Sequence, residues 1–570
     1  MATIIVEPGT ARAGRQRVNR TAIAHNRLML LLILFLAVIL VLVGRLGWIG
    51  LFANDGGRGV TGGAFLPARA DIVDRNGVPL ARTMDAYSVA VRPSKLIGEP
   101  DELARKLQEI FPDEAQEVFH RKLTGKSWAY LRRRALPEQV AAVNALGEIG
   151  IEFPREKERL YPQRTLAAHI LGFAPDEKGV GGMGVEAAFN DRLIDPAQRG
   201  RPFMLSIDSR VQGALESELY AQMMAHQAKG AGGIIMDADT GEILAMASLP
   251  VFDPNKVQDY AGKRCSESPY CNQIVQARYE LGSTFKPLSV AKAMDQGVVT
   301  SMSKRYDATE PIAVGGFRIK DDHPMRRWLN VPETLVHSSN IVTARIADEM
   351  GVPPMQALFR DLQFDQRAPI ELKERAGGLW PRNWGRVTNM TVAYGHGIAI
   401  TPLHLASAYA ALVNGGTWHP ATLRKLAPGE APQGHRVFSV ATSARMRQLL
   451  RMIVSDGTGR SADAKGYRVG GKTGSAEKAE GGGYNRSALV TTFAAAFPMD
   501  NPRYIVIAMM DEPRGNAQTF GLRTAAWTAS PVVKKVIERT GPMLGVMPDE
   551  QRDVDISDLM PLLWKAKGER

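Results

Sequence analysis

The chain has 570 residues, with 45% hydrophobic and 23% charged residues, ordinary globular proportions that exclude a disordered or fibrous polypeptide and leave room for two or three domains. Two cysteines, Cys265 and Cys271, and ten histidines with no HExxH pair or Cys/His cluster argue against a zinc centre. The net charge of +12 is spread along the chain and is one-sided only at the start, so it does not call for nucleic acid.

Residues 1–27 carry Arg12, Arg15, Arg17, Arg20 and Arg27 against a single acid, Glu7. From Leu28 to Gly44 there is no charge, and after Arg45 the apolar run continues to Phe52. As a helix, 28–52 rises roughly 37 Å, enough for a hydrocarbon core of ~30 Å. A cleaved signal peptide is the rival reading, but the basic lead is long and no Ala-x-Ala site follows. The expectation is a single-pass anchor, with 1–27 as a cytoplasmic tail and everything after about residue 53 across the membrane. Arg45 inside the span either snorkels outward or meets a partner helix, which would make the anchor a binding element.

A Gly-rich joint, NDGGRGVTGGAF, reads as a flexible stalk. Ile72-Val73 and the Asn76-Gly77 turn predict a tight hairpin. The next ~130 residues mix helical segments, such as Asp101–Glu109, with breaks, and nothing there looks catalytic. Near Ala231 the sequence AGGIIMDADTGEILAMAS predicts strand, hairpin and strand. Helical patterns follow at Leu288–Met294, Val331–Met350 and Pro402–Val413. GGKTGSAE, LVTTFAAAFP and YIVIAMMDE then read as strands of an antiparallel sheet. The last ~30 residues are polar with scattered apolar positions and read as a tail.

Three short motifs carry chemistry. In YELGSTFKP, Ser283 and Lys286 are three apart; on a helix starting at the serine they face the same way, and a desolvated lysine beside a second cation can lose its proton and serve as base for that hydroxyl. Fifty-five residues on, HSSNIV places Ser338 and Asn340 in a Ser-x-Asn loop; a further 134 residues on, GGKTGSAE presents Lys472, Thr473, Gly474 and Ser475 on a strand. Ser338 would relay a proton between Lys286 and a leaving amine, and Asn340 would hold Lys286 and a donor amide. Lys472 would keep Lys286 neutral. Gly474 would let substrate backbone lie on the strand, the N–H groups of Ser283 and Ser475 would meet one oxyanion, and the Thr473 and Ser475 hydroxyls a carboxylate.

The set Ser283-x-x-Lys286, Ser338-x-Asn340 and Lys472-Thr-Gly resembles the penicillin-binding proteins and serine β-lactamases. Stretches 67–81, 159–173, 184–193, 231–255 (AGGIIMDADTGEILAMASLPVFDPN) and 394–406 (YGHGIAITPLHLA) resemble the class B penicillin-binding proteins, and the likeness covers about residues 28–535. Two departures stand out: Ala70 replaces the glycine in Arg-Gly-x-Ile-x-Asp-Arg, and Leu281 the proline in Glu-Pro-Gly-Ser. Ser-x-Asn rather than Ser-x-Asp resembles the division branch over the elongation branch. The resemblance implies an α+β chain: tail 1–27, anchor 28–52, non-catalytic pedestal or dimerisation-type domain 53–225, transpeptidase domain 226–540 (an antiparallel sheet with helices, as in serine β-lactamases) and C-terminal tail 541–570.

It also implies a D,D-transpeptidase without cofactor, acting through an acyl-enzyme at Ser283 on peptidoglycan stem peptides, a D-Ala-D-Ala donor and an amine acceptor. β-Lactams would inhibit it, and a membrane glycan polymerase and other division proteins would be its partners. A β-lactamase needs neither anchor nor preceding domain, and a β-lactam receptor would want a larger cytoplasmic effector than 27 residues; a scaffold with a dead site would not keep every reacting group. His396, between two glycines, reads as a loop histidine rather than a base, and Trp380 and Trp384 as core anchors rather than groove walls. Cys265 and Cys271 are expected to form a disulfide in an oxidising compartment, closing a ring just before Ser283.

Overall fold

The computed structural model describes residues 20–52, 69–174, 182–257, 265, 268–480 and 483–564. The chain divides into two units, Met1–Ala64 and Phe65–Arg570. The first contains helix α1 (Arg20–Phe52), whose window Arg27–Gly44 has a mean hydropathy of 3.0 and is, among the described residues, the one helix long and apolar enough to cross a membrane. The Gly-rich joint and the Arg45 side chain lie outside the described residues.

The second unit begins with strand β1 (Ile72–Val73), which turns at Gly77 into β2 (Pro79–Val91), the predicted hairpin. β2 is long enough to pair with β3 (Ala129–Ala135), β4 (Ile151–Glu152) and β5 (Arg155–Leu160), while β1 also pairs in parallel with β6 (Phe203–Met204). A small apolar cluster, including Leu107, Phe111 and Phe119, fills one side of this sheet.

A five-stranded antiparallel sheet forms the centre of the remainder. Helix α2 (Ser209–Ala225) leads to β7 (Gly230–Asp237) and β8 (Ile243–Leu249), and three late strands join them: β9 (Gly470–Glu480), β10 (Gly483–Phe497) and β11 (Tyr504–Asp511), in the order β9-β10-β11-β7-β8. Because side chains alternate along a strand, Ile234 and Ile507 enter one core and Ile235 and Val506 the other. Both faces are covered, which is why β7, β8 and β11 read as unbroken apolar runs. One face meets α2 and the C-terminal helix 530–540; the other meets the helices that carry the motifs.

Those helices are α3 (Lys286–Asp295), α4 (Asn340–Met350), α5 (Pro402–Val413), buried along its whole length, and α6 (Val440–Asp456). The continuous helical pattern expected over Val331–Met350 is broken: one helix ends at Val336, another starts at Asn340, and Ser338 between them has a φ of 59°. Residues 541–564 lie on the domain. Leu559 is fully buried, Arg445 pairs with Asp558 and Arg451 with Asp553, and Trp564 donates its backbone N–H to Glu333. The predicted disulfide between Cys265 and Cys271 is present.

Candidate active site

Ser283 lies in a short 3-10 turn, Gly282–Phe285, and α3 begins at Lys286, so the helix starts one turn later than expected and keeps the i, i+3 pairing. Three separate segments fix this turn, two by close backbone approach and one by a side chain. A Cβ on Gly474 would stand 2.2 Å from the Leu281 carbonyl oxygen, and one on Gly395 2.2 Å from that of Gly282. Gly474 therefore serves the approach of β9 to the nucleophile turn, a different reason from the substrate contact expected of it. From behind, Tyr409 on α5 donates its hydroxyl to the Thr284 carbonyl at 2.8 Å.

Lys286 is fully buried. Its Nζ donates to the Ser338 hydroxyl at 3.1 Å and to the Ser338 carbonyl oxygen. The left-handed backbone of Ser338, uncommon for a residue with a side chain, turns both oxygens toward the lysine and explains the break in the helix. Burial pushes the Lys286 ammonium down to about 7, against the opposing fields of Asp321 and Asp322. Lys472 is also fully buried and donates to the Thr473 carbonyl at 3.1 Å and hydroxyl at 3.2 Å. Its pKa is lowered by burial first and by the charge of Lys286 second. Of the two causes expected from the sequence, desolvation and a second cation, burial is the one that lowers Lys286, while the mutual charge effect is seen on Lys472.

The remaining motif residues are distributed around this centre. Asn340 donates its Nδ2 to the Lys320 carbonyl at 3.0 Å, a different partner from the Lys286 contact expected. Thr473 shares a hydrogen bond with Thr458 at 3.0 Å, and the Ser475 hydroxyl accepts the Ala525 N–H at 3.0 Å. Asp321 is a residue that sequence reasoning missed. Its carboxylate accepts from the Ser339 hydroxyl at 2.8 Å and the Ile341 N–H at 2.9 Å, pinning the start of α4 and with it the Ser338 loop. The Asp321-Asp322 pair upstream of the second motif was its only signal in the sequence.

Trp380 and Trp384 sit 4.8 Å apart, both partly buried; Trp384 packs on the core and bonds Asn389, while Trp380 also lines a large cavity. A serine one turn before a buried lysine whose proton is released near neutrality, with a second hydroxyl hydrogen-bonded to that lysine, is an arrangement for acyl transfer through a covalent serine ester.

Comparison with known proteins agrees. Residues 231–538 match the family model of the penicillin binding protein transpeptidase domain, and residues 65–194 that of the penicillin-binding protein dimerisation domain. The chain is 40% identical, over 88% of its length and 85% of the relative's, to a probable peptidoglycan D,D-transpeptidase FtsI of Caulobacter vibrioides. It is 32% identical, over 85% of its length and 86% of the relative's, to a probable peptidoglycan D,D-transpeptidase PenA of Neisseria gonorrhoeae. Its fold matches the crystal structure of penicillin binding protein 3 from Mycobacterium tuberculosis complexed with aztreonam, with a TM-score of 0.66, 24% identity, and coverage of 85% of this chain and 97% of that one.

Proposed function

The chain belongs to the penicillin-binding protein transpeptidase family, and from that membership we propose that it is a serine D,D-transpeptidase that cross-links peptidoglycan stem peptides, acting in septal wall synthesis and covalently inhibited by β-lactams. Neutral Lys286 takes the Ser283 proton as the hydroxyl attacks the penultimate D-Ala carbonyl. The peptide C–N bond breaks, the terminal D-Ala leaves with a proton returned through Ser338, and the acyl group stays on Ser283 as an ester. The amine of a second stem then attacks that ester, a new amide forms, and Ser283 recovers its proton.

In this reading Lys472, Thr473 and Ser475 receive the donor's terminal carboxylate. The N–H groups of Ser283 and Ser475 hold the oxyanion, Asn340 meets the donor amide, and Gly474 keeps β9 against the turn. The observation that carries the proposal is the fully buried Lys286, bonded to Ser338 and three residues from Ser283. Ser283→Ala tests it: labelling by a fluorescent penicillin should vanish while the circular dichroism spectrum is kept, and undiminished labelling refutes it.

Residues 53–225 then form the pedestal, 226–540 the transpeptidase domain and 541–570 the C-terminal tail, of which 541–564 pack on the domain. Tail 1–27 is cytoplasmic, 28–52 spans the inner membrane, and the catalytic domain faces the periplasm. The basic lead supports this orientation, and so does the Cys265–Cys271 disulfide, the chemistry of an oxidising compartment. The anchor joins a membrane glycan polymerase of the division machinery. Replacing 28–52 with an unrelated uncharged span should cut septal recruitment; unchanged recruitment and cross-linking would reduce the anchor to a tether.

A further inference from the structure

A cavity of about 1120 Å³ lies beside the nucleophile turn, and its walls include Arg278, Glu280, Trp380, Glu477, Lys478 and Asp511. Its position follows from strand β9, which is an edge strand of the central sheet. If the donor's terminal carboxylate sits at Lys472 and Thr473, as the function above requires, a donor laid along that edge runs its upstream residues past Ser475 toward Glu477 and Lys478. That stretch forms one wall of the cavity. The space therefore receives the part of a stem peptide that precedes the scissile bond.

Two of the four acids on these walls, Asp511 and Glu512, are already matched by cations, while Glu477 has no ion pair among the described residues. Lys478 pairs with Asp511 at 3.0 Å and Glu512 at 2.9 Å, and Lys229 with Glu512 at 2.7 Å. Glu280, three residues before Ser283, is different. Its side chain is only 13% exposed; one oxygen accepts the Tyr484 hydroxyl at 2.9 Å, and the other lies 3.3 Å from His396 Nδ1 without a formed hydrogen bond. The His396 ring lies flat on Tyr484 at 4.5 Å, with Tyr394 stacked behind at 6.2 Å. Burial pushes the Glu280 carboxyl up, opposed by His396, the Tyr484 hydroxyl and the Gly397 N–H. The pocket wall thus includes a carboxylate short of a full counter-charge, held from behind by His396 and Tyr484, with the aromatic side chains of Tyr279 and Trp380 on the same walls, a combination that recognises an ammonium.

We propose that Glu280, set between His396 and Tyr484, is a binding site for the side-chain ammonium of a stem peptide. The inference rests on the transpeptidase reading. Donor and acceptor are copies of one kind of stem, so the amine that an acceptor must offer is present on the donor as well. The ammonium at Glu280 comes either from the donor's own upstream residue or from the incoming acceptor, and in both cases the chemistry of the site is the same. His396, which the sequence offered only as a loop residue, and Tyr484 orient the carboxylate.

The test uses the full-length protein, with rates normalised to the sites titrated by labelled penicillin. Two synthetic pentapeptide donors ending in D-Ala-D-Ala are compared, one with lysine and one with norleucine at the third position. If the donor supplies the ammonium, the wild-type kcat/KM ratio of lysine to norleucine donor for acyl-enzyme formation exceeds about ten, and Glu280→Gln brings it near one. If the acceptor supplies it, the donor ratio is near one, and Glu280→Gln raises the KM for a lysine-bearing acceptor about tenfold and diverts acyl-enzyme to hydrolysis. Glu280→Asp, which keeps the charge, retains part of either effect; a role in shape alone would make it as damaging as Gln. A variant that slows both donors equally and leaves the acceptor KM unmoved overturns the proposal. Failure of the wild type to form an acyl-enzyme with either donor or with penicillin refutes the transpeptidase reading itself.

Discussion

Two pairs of buried cations in this chain, Arg69 with Arg159 and Lys286 with Lys472, are treated in opposite ways. Near the pedestal sheet, Arg69 and Arg159 are each 5% exposed and close on one fully buried carboxylate, Glu186, at 2.8 Å and 2.6 Å. Arg69 also bonds Asn190 and the Glu186 carbonyl, both at 2.9 Å. In the transpeptidase domain, Lys286 and Lys472 are just as buried, yet their hydrogen bonds go to hydroxyls and carbonyls of Ser338 and Thr473. The nearby Asp321 is committed to Ser339 and Ile341. Glu186 ties the two arginines into a structural ion cluster, whereas Lys286, without a direct counter-ion, is pushed by burial toward the neutral form in which it can act as a base.

The comparison breaks most visibly at Lys286. Lys286→Met should slow acylation by labelled penicillin on the order of 10³-fold, the range of a lost general base, with the unfolding midpoint hardly changed. A large loss of stability instead would mean that Lys286 is structural like the arginines. Glu186→Gln should do the reverse: a loss of about 3–5 kcal/mol, because two guanidiniums are left without their carboxylate, read from denaturant unfolding. Folded molecules of that variant should still label at the wild-type rate.

Smaller effects sharpen the contrast. Replacing both Cys265 and Cys271 by serine opens a short ring and should cost roughly 2 kcal/mol in unfolding free energy. Two buried histidines extend the theme of bases held neutral. His169, bonded to the Pro269 carbonyl, and His404, bonded to Thr401 and the Gln366 carbonyl, are each pushed down from 6.5 to about 4 by burial. The unfolded chain takes up protons at these sites below about 6.5 while the folded one does not, so their stabilising contribution is complete above that pH and is lost as pH falls toward 4. At pH ~5.5 the loss is about 1.4 kcal/mol per histidine. His404→Gln should flatten the dependence of Tm on pH between about 7 and 5; an unchanged slope would contradict the assignment.

Local chemistry was legible in the sequence. The Asn76-Gly77 hairpin, strands β7 to β11, helix Pro402–Val413 and the three motifs follow from periodicity, turn residues and spacing over a few positions. What escaped depends on groups distant in the chain. The helical pattern of Val331–Met350 gave no sign that Ser338 would take a left-handed backbone to reach Lys286. Asn340 turns to Lys320 because Asp321 fixes the start of its helix. The polar segment after 541 docks through buried Leu559 and through Asp553 and Asp558, whose arginine partners on α6 lie about a hundred residues earlier. Glu280, His396 and Tyr484 come from three segments whose nearness only the tertiary fold supplies.

The most direct measurement is the pH dependence of the second-order rate constant for acylation of Ser283 by labelled penicillin. A buried Lys286 with its pKa near 7 acts as base only when neutral, so the rate should rise about tenfold per pH unit below that value and level off above it. A rate that is flat from about pH 5.5 to 8.5, or one that falls as pH rises through 7, would contradict the assignment of Lys286 as the base.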